Sequence, residues 1–264
     1  MQIAPFTDQM NRQVQIPFPP KRIISLVPSQ TELLFDLGLD AEVVGITKFC
    51  IHPKAKVKQI TKIGGTKKVD IDLIRSLKPD LIIGNKEEND KEQIEALMSE
   101  FNVWMSDIHD LEDALEMISE IGKITSTQNL AQQIRYGIES GFEGLLEQNQ
   151  GKAEKIAYFI WKRPYMVAGT NTFISDILHR AGWENAVTEE RYPEINAVKI
   201  KDSKADRIFL SSEPYPFRAK HLEEFQLMCP DAKVSIVDGE MFSWYGSHLL
   251  KTPGYLQTLS SDKG

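Results

Sequence analysis

Short apolar runs alternate with amphipathic stretches from residue 22 onward, and this alternation predicts alternating strands and helices. The run at 22–27, RIISLV, is apolar on both faces, which is typical of a buried strand in a parallel sheet. Pro28 ends this run, and Ser29 with Glu32 has the spacing of a capping box, so a helix is expected to start there. A second apolar run follows at 42–46. The order strand, helix, strand indicates a right-handed parallel crossover.

The same alternation continues through both halves of the chain. Further strands are predicted at 81–83, 102–105, 155–160 and 204–210, and further helices at 70–77, 92–99, 111–124 and 172–182. The segment KADRIFL at 204–210 echoes KPDLIIG at 78–84, with Asp206 and Asp80 in equivalent places. The aspartate follows the first strand of its half at a similar distance, 57 residues from Ile23 to Asp80 and 50 from Ile156 to Asp206. These two similarities indicate two related lobes with a cleft between them.

The pattern therefore predicts an α/β protein with two Rossmann-like lobes, each built on a parallel sheet and joined by one long backbone helix. The expected boundaries are 1–125 for the N-terminal lobe, 126–150 for the connecting helix and 151–264 for the C-terminal lobe. A chain of 264 residues is long enough to form two hydrophobic cores.

Composition and charge narrow the class of protein. Hydrophobic residues make up 41% and charged residues 26% of the chain, as in ordinary globular proteins. A net charge of −7 without a long basic run excludes a nucleic-acid groove. No apolar run reaches the length of a membrane span, so none is expected. The two cysteines, Cys50 and Cys229, show no metal-binding spacing and leave a disulfide undecided.

The first residues bear on localisation. The segment MQIAPFTDQM has no basic start followed by an apolar run, so a secretory signal peptide is not expected. As the sequence stands, the chain is expected in the cytoplasm. The alternative is a periplasmic or lipid-anchored protein whose upstream leader was removed.

Three segments resemble the periplasmic binding protein superfamily in which two lobes are joined by one long helix. They are RIISLVPSQTELLFDLGL at 22–39, VVGITKFCIHP at 43–53 and VDIDLIRSLKPDLIIGN at 69–85, and the resemblance extends over about residues 22–250. Members include the cobalamin-, haem- and ferric-siderophore-binding components of ABC importers, and the cobalamin-binding branch is the nearest. The resemblance implies a monomeric, non-catalytic receptor for such a metal chelate, with no intrinsic cofactor, no nucleic-acid partner and an ABC permease as its partner.

Ligands of α/β folds bind beyond the carboxyl ends of the parallel strands, so the residues that follow each strand are the candidate ligand contacts. In the first lobe these are Pro28, Ser29, Phe49, Cys50, His52, Thr66 and Asn85. In the second lobe they are Trp161, Arg163, Tyr165, Tyr192, Trp244, Tyr245 and His248. Aromatic walls with a few polar groups suit a bulky metal chelate. Asn85, Arg163 and His248 are expected to fix its orientation.

The sequence departs from the family pattern at several positions. Cobalamin binders tend to carry tryptophan where Thr66 and Asn85 stand here, and siderophore binders often carry arginine in place of His248. The family docks its permease through one acidic residue on each lobe. Asp72 fits the first position. Val198 occupies the second position, and Glu194 is a displaced candidate for its acidic residue.

Several alternatives stay open. Cys50 and His52 could ligate a metal or pack within their loop, and without a further Cys/His cluster no metal site is expected. Trp161 and Trp244 could contact the ligand or belong to a core. An enzyme on the same scaffold, such as a tetrapyrrole chelatase using Cys50, His52 and His248, is the alternative function, although no catalytic constellation is visible. The third possible function is that of an interaction module, on a scaffold that has lost its ligand.

Overall fold

The structure, a computed structural model, describes residues 2–148 and 153–261. The strands are β1 (Gln2–Thr7), β2 (Gln13–Phe18), β3 (Ile23–Ser25), β4 (Val43–Ile46), β5 (Thr61–Lys62), β6 (Leu81–Asn85), β7 (Val103–Ser106), β8 (Lys155–Trp161), β9 (Tyr165–Val167), β10 (Glu184–Asn185), β11 (Glu194–Ile195), β12 (Arg207–Ser211) and β13 (Lys233–Val237). The helices are α1 (Pro28–Asp36), α2 (Lys54–Val57), α3 (Ile71–Leu77), α4 (Lys91–Met98), α5 (Leu111–Ile124), α6 (Gln128–Gln148), α7 (Phe173–Arg180), α8 (Ala197–Asp202), α9 (Leu222–Met228), α10 (Glu240–Ser243) and α11 (Thr252–Ser261). Short 3₁₀ turns cover Ala219–His221 and Ser247–Leu250.

These elements form two units. The first contains Met1–Ile108, Glu112–Gly137 and Tyr245–His248, and the second contains His109–Leu111, Ile138–Trp244 and Leu249–Gly264. Among the described residues, no helix combines the length and the apolar character needed to cross a bilayer.

The first unit is built on a wholly parallel sheet in the order β5-β4-β3-β6-β7. All residues of β3, β6 and β7 are buried, which explains their continuous apolar sequences. An antiparallel hairpin, β1 with β2, precedes this sheet and was not predicted from the sequence. Its turn is tied to β7, because the amide of Gln9 donates to the carbonyl of Met105 (3.1 Å) and the indole of Trp104 donates to the carbonyl of Thr7 (3.2 Å).

The second unit has a mixed sheet in the order β11-β9-β8-β12-β13, with β10 also pairing with β8. The expected parallel pairing is present between β8 and β12, and β13, which was not predicted, pairs parallel with β12. Strand β9 is antiparallel to β8 and carries β11 antiparallel to itself, an edge that was not expected. The physical reason is the short connection at 162–164, since a turn of this length returns the chain antiparallel to the strand that it leaves.

Two helices carry a side-chain cap at the residue where the sequence predicts their start. Asp70 accepts a hydrogen bond from the amide of Leu73 (3.0 Å), and Thr172 accepts one from the amide of Ser175 (3.2 Å). The capping box at Ser29 is wrong. Helix α1 begins one residue earlier at Pro28, without a side-chain cap, because proline is well suited to the first turn.

The echo between residues 78–84 and 204–210 has a structural counterpart. The Asp80 carboxylate accepts hydrogen bonds from the amides of Lys21 (2.8 Å) and Arg22 (2.9 Å), and its own amide donates to the carbonyl of Arg22 (2.9 Å). Asp206 makes the same exchange with Lys155, at 2.8 Å in both directions. In each unit the aspartate thus fixes the start of the neighbouring parallel strand, β3 in the first and β8 in the second.

The long helix predicted after residue 125 is present as α6, although it starts at Gln128. Its residues up to Gly137 belong to the first unit and those from Ile138 to the second. Residues 149 and 150, the end of the predicted connecting helix, lie outside the described residues. The lobe boundaries of the sequence analysis stay a prediction.

Candidate functional site

The loop after β4 presents apolar side chains to solvent at the carboxyl end of the first sheet. Phe49 is 51% exposed and Ile51 is 45% exposed, whereas Cys50 between them is buried. The Lys48 ammonium lies 5.1 Å from the centre of the Phe49 ring, a cation–π distance. This loop therefore offers an apolar surface with a cation beside it.

The Cys50 thiol faces inward from the same loop. Its sulfur lies 3.1 Å from the Thr31 hydroxyl and 3.2 Å from the Thr47 hydroxyl. Burial raises the pKa of the thiol, and the hydrogen bonds from the two threonines only partly oppose this effect. A thiol kept protonated is a poor metal ligand, because the thiolate is the form that binds metals.

His52 and His248 lie near one another in the first unit, with ring centres 6.0 Å apart. Within residues 2–148 and 153–261, no group of three or more His, Cys, Asp or Glu side chains is placed to hold a metal ion. Cys50 thus contacts α1 as well as its own loop, and His52 lies beside the ring of His248, so the two readings left open by the sequence stay predictions.

Asn85 shapes the loop that follows β6. The side chain is 1% exposed, and its carbonyl oxygen accepts hydrogen bonds from the amides of Glu87 (2.9 Å) and Glu88 (3.0 Å). Its amide group donates to the Ser106 hydroxyl (3.0 Å), to which the Gln30 amide also donates (2.7 Å). The carboxamide of Asn85 thus fixes the loop.

The segment Tyr245–His248 belongs to the first unit, whereas the sequence analysis assigned Tyr245 and His248 to the second lobe. All four residues are buried. A Cβ atom at Gly246 would lie 2.7 Å from the carbonyl oxygen of Ser29, so only glycine allows this approach. Nδ1 of His248 lies 2.7 Å from a carboxylate oxygen of Glu32. These contacts with α1 agree with the grouping of this segment in the first unit.

In the second unit, Trp161 ends β8 and is 39% exposed. Its ring packs edge to face against Tyr215, with the centres 5.6 Å apart. Tyr215 follows β12 and was missed by the sequence analysis, although the rule applied to the other strands would have found it. Arg163 is exposed beside them and has a left-handed backbone, with φ of 68°.

Tyr165 is half-buried and bound into a polar cluster. Its hydroxyl donates to Glu224 (2.5 Å), which also forms an ion pair with Lys162. Burial, together with the hydrogen bond to Glu224, raises the pKa of Tyr165 to about 12. Burial alone would raise the pKa of Glu224, but the hydrogen bonds from Lys162 and Tyr165 outweigh it and lower that pKa.

Trp244 is buried in the second unit, where its indole N–H donates to a carboxylate oxygen of Glu213 (2.8 Å). Tyr192 is half-buried, with the Arg191 guanidinium 5.6 Å from its ring. Trp104 is fully buried, as predicted for a core residue.

The predicted ligand contacts therefore divide by exposure. The exposed ones are Phe49, Trp161 and Arg163. The half-buried ones are Pro28, His52, Thr66, Tyr165 and Tyr192. The buried ones are Ser29, Cys50, Asn85, Trp244, Tyr245 and His248. The two predicted docking residues, Asp72 on α3 and Glu194 on β11, are both exposed, and Asp72 pairs with Arg75 (2.5 Å).

Comparison with known proteins places this arrangement in a family. The model of the periplasmic binding protein family matches residues 23–228. An uncharacterized ABC transporter substrate-binding lipoprotein of Bacillus subtilis, YvrC, is 28% identical over 193 residues, which cover 69% of this chain and 60% of the relative. The chain thus spans less than two thirds of that protein.

A vitamin B12-binding protein of Vibrio cholerae is 24% identical over 200 residues, covering 74% of this chain and 72% of the relative. The crystal structure of a periplasmic heme binding protein from Pseudomonas aeruginosa superposes with a TM-score of 0.80 at 20% identity, covering 91% of this chain and 92% of the other. The family match covers most of the chain, and the two α/β units agree with it. This chain belongs to the periplasmic binding protein family.

Proposed function

We propose that the chain is the substrate-binding component of an ABC importer and that its substrate is a metal chelate of the cobalamin, haem or ferric-siderophore type. Family membership and the names of the relatives support this proposal. The Bacillus subtilis relative is a lipoprotein by name, and the similar structure from Pseudomonas aeruginosa is named as a periplasmic protein. We therefore place the protein outside the cytoplasmic membrane, which is the second of the two locations that the sequence left open.

The observation that carries the proposal is the exposure of large apolar side chains at the carboxyl ends of strands in each unit. Phe49 and Ile51 follow β4 in the first unit, and in the second Trp161 ends β8 and packs on the half-buried Tyr215, which follows β12. Because these side chains are already about half covered, a ligand on each would contribute roughly half of the about 1.5–3 kcal/mol of full burial. Surfaces of this kind suit a bulky chelate better than a small polar solute.

The proposed contacts follow from exposure. The side chains that reach the surface would touch the substrate: Phe49, Ile51, His52, Thr66, Trp161, Arg163 and Tyr215. The buried candidates would support the loops that carry them, as Asn85 and Cys50 do in the first unit. Ser29, Tyr245 and His248 would support the start of α1 in the same way.

The chelatase alternative gains no support. It needs Cys50 to act on a metal or a proton, yet burial raises the pKa of this thiol and two threonine hydroxyls enclose it. The names of the relatives also describe binding proteins. We therefore do not propose a catalytic activity.

The permease contacts are proposed at Asp72 and Glu194, which are both exposed. Charge reversal of both residues should abolish transport by the reconstituted importer, because docking through acidic side chains requires basic partners. Chelate binding by the isolated protein should stay unchanged. Full transport by the doubly reversed variant would contradict this assignment.

The receptor proposal is tested by equilibrium titration of the purified chain with hemin, cyanocobalamin and a ferric siderophore, followed by quenching of tryptophan fluorescence. At least one chelate should bind with micromolar or tighter affinity. Trp161→Ala should weaken that binding about tenfold through lost aromatic burial. Tyr136→Ala, at a side chain 73% exposed on α6, is the matched control and should change nothing. Absence of micromolar binding to all three chelates would contradict the proposal.

A further inference from the structure

We infer that the substrate is an anionic chelate, recognised in the first unit by a group of four lysines that we call the lysine cluster: Lys48, Lys62, Lys67 and Lys68. This inference rests on the proposed function and narrows it, because the chelates that the family name alone allows differ in charge. Lys48 follows β4, Lys62 ends β5, and Lys67 and Lys68 lie in the loop after β5, at the same end of the sheet as the exposed Phe49.

The four ammonium groups lack carboxylate partners. All four lysines are exposed, and within the part of the chain that the structure describes none of them forms an ion pair. Two neighbouring lysines differ in this respect, because Lys56 pairs with Asp40 and Lys86 pairs with Asp107. The lysine cluster thus concentrates unpaired positive charge in one part of a chain whose net charge is −7.

Backbone contacts hold the two loops together. The amide of Lys48 donates to the carbonyl of Gly64 (2.8 Å), and the amide of Gly65 donates to the carbonyl of Lys68 (2.7 Å). The ammonium of Lys62 donates to the carbonyl of Cys50 (3.4 Å). A Cβ at Gly65 would lie 3.3 Å from the Phe49 ring and 3.5 Å from Cε of Lys48. The cations and the exposed ring therefore belong to one surface.

Nearby acidic groups compensate this charge only weakly. Asp70 is occupied as the N-cap of α3, where it accepts from the amide of Leu73. Lys67 contacts the backbone carbonyl of Glu87 (2.7 Å) rather than a carboxylate. Burial and the charge of Glu87 raise the pKa of Glu88, and the charge of Lys67 opposes this only in part. The surface thus keeps a positive field.

A positive field next to an exposed aromatic ring fits a ligand that carries both an apolar body and anionic oxygens. Peripheral carboxylates of a tetrapyrrole and catecholate oxygens of a ferric siderophore share this chemistry. Lys48 would contact an oxygen while Phe49 packs on the body of the chelate. A chelate without peripheral negative charge would gain only the apolar part.

Matched pairs of probes separate charge from shape. The first pair is hemin and its dimethyl ester, which keeps the ring but lacks the carboxylates. The second pair is iron(III) tris-catecholate, which is anionic, and iron(III) tris-hydroxamate, which is neutral. Each of the four probes is titrated against the full chain and against two double variants, Lys48→Gln/Lys62→Gln and Lys67→Gln/Lys68→Gln. The control is Lys155→Gln/Lys201→Gln, which removes the same charge at β8 and α8 of the second unit.

In at least one pair the anionic probe should bind more tightly than its neutral partner. Each lysine double variant should weaken the anionic probe about fivefold to twentyfold, since one exposed ion pair typically contributes up to about fivefold in affinity. The neutral probes and the control should change less than about twofold, and added salt should weaken the anionic probes only. Thermal unfolding of each variant checks that it is folded.

Equal affinity within both pairs, unchanged by the lysine variants, would overturn the inference and leave the receptor proposal intact. Loss of affinity for neutral and anionic probes alike would also overturn it, because it would assign the lysines a structural role. Failure of all four probes and of cyanocobalamin to bind would overturn the receptor proposal itself.

Discussion

At the scale of single residues, the surroundings of a side chain decide what it can do. Cys50 was left open as a metal ligand because sequence spacing does not show which way a side chain faces. In the structure it faces Thr31 and Thr47, and burial raises its pKa. The sequence likewise does not show the hydrogen-bond partner of Tyr165, since Glu224 lies 59 residues away.

The Cys50 thiol should be unreactive in the folded protein. At pH 8 a thiol-specific disulfide reagent should label it at least about tenfold more slowly than after unfolding, because little thiolate is present and the sulfur is buried. The variant Cys229→Ser reports Cys50 alone, since these two are the free cysteines. Native labelling as fast as in the unfolded chain would contradict the assigned surroundings of this residue.

Glu224 should make stability depend on acid pH. Its pKa is lowered in the folded protein, so its contribution is present above the unfolded value of about 4.3 and is lost as pH falls through the lower folded value. Because its side chain is 37% exposed, we expect at most about 1 kcal/mol. Denaturant titrations from pH 6 to pH 3 should show a smaller loss in Glu224→Gln than in the parent. An identical pH profile would contradict the role given to this carboxylate.

At the scale of elements, local patterns predicted most helices and strands and missed those set by distant contacts. The strands β3, β4, β6 and β7 were predicted because both faces are buried and their sequences are continuously apolar. The hairpin of β1 and β2 was missed although QVQI at the start of β2 alternates polar and apolar residues as a half-buried strand does, and contacts of its turn with β7 fix its position. The start of α1 was misplaced because Glu32, expected in a capping box, contacts His248 instead.

Asp80 and Asp206, which precede β6 and β12, should be major determinants of stability. Asp80→Ala should lower the free energy of unfolding by about 1.5–3 kcal/mol, because it removes a charged acceptor from two backbone amides. Asp206→Ala should lower it by a similar or smaller amount, since it serves one amide. Chemical denaturation measures both. Asp231→Ala, at an exposed aspartate, should change stability by less than about 0.5 kcal/mol. Equal effects of all three variants would contradict the role given to Asp80 and Asp206.

At the scale of the whole molecule, two α/β units and the long helix α6 were predictable because the strand and helix pattern repeats in both halves. The candidate site was predictable only in part. Phe49, Trp161 and Arg163 follow strands and reach the surface, as the rule requires. Tyr245 and His248 belong to the first unit, which the sequence analysis did not foresee, because the contact of His248 with α1 joins residues more than 200 positions apart. The monomeric state stays a prediction.

The central claim is that the loops at the carboxyl ends of the strands form the substrate surface. Hydrogen–deuterium exchange of the protein with and without its tightest chelate tests this claim most directly. Bound chelate should slow exchange in 47–52 and 63–69 of the first unit and in 161–165 and 212–216 of the second. Exchange in α8 and at the amino end of β12 should stay unchanged. Protection confined to those latter segments, with none at the strand-end loops, would contradict the account.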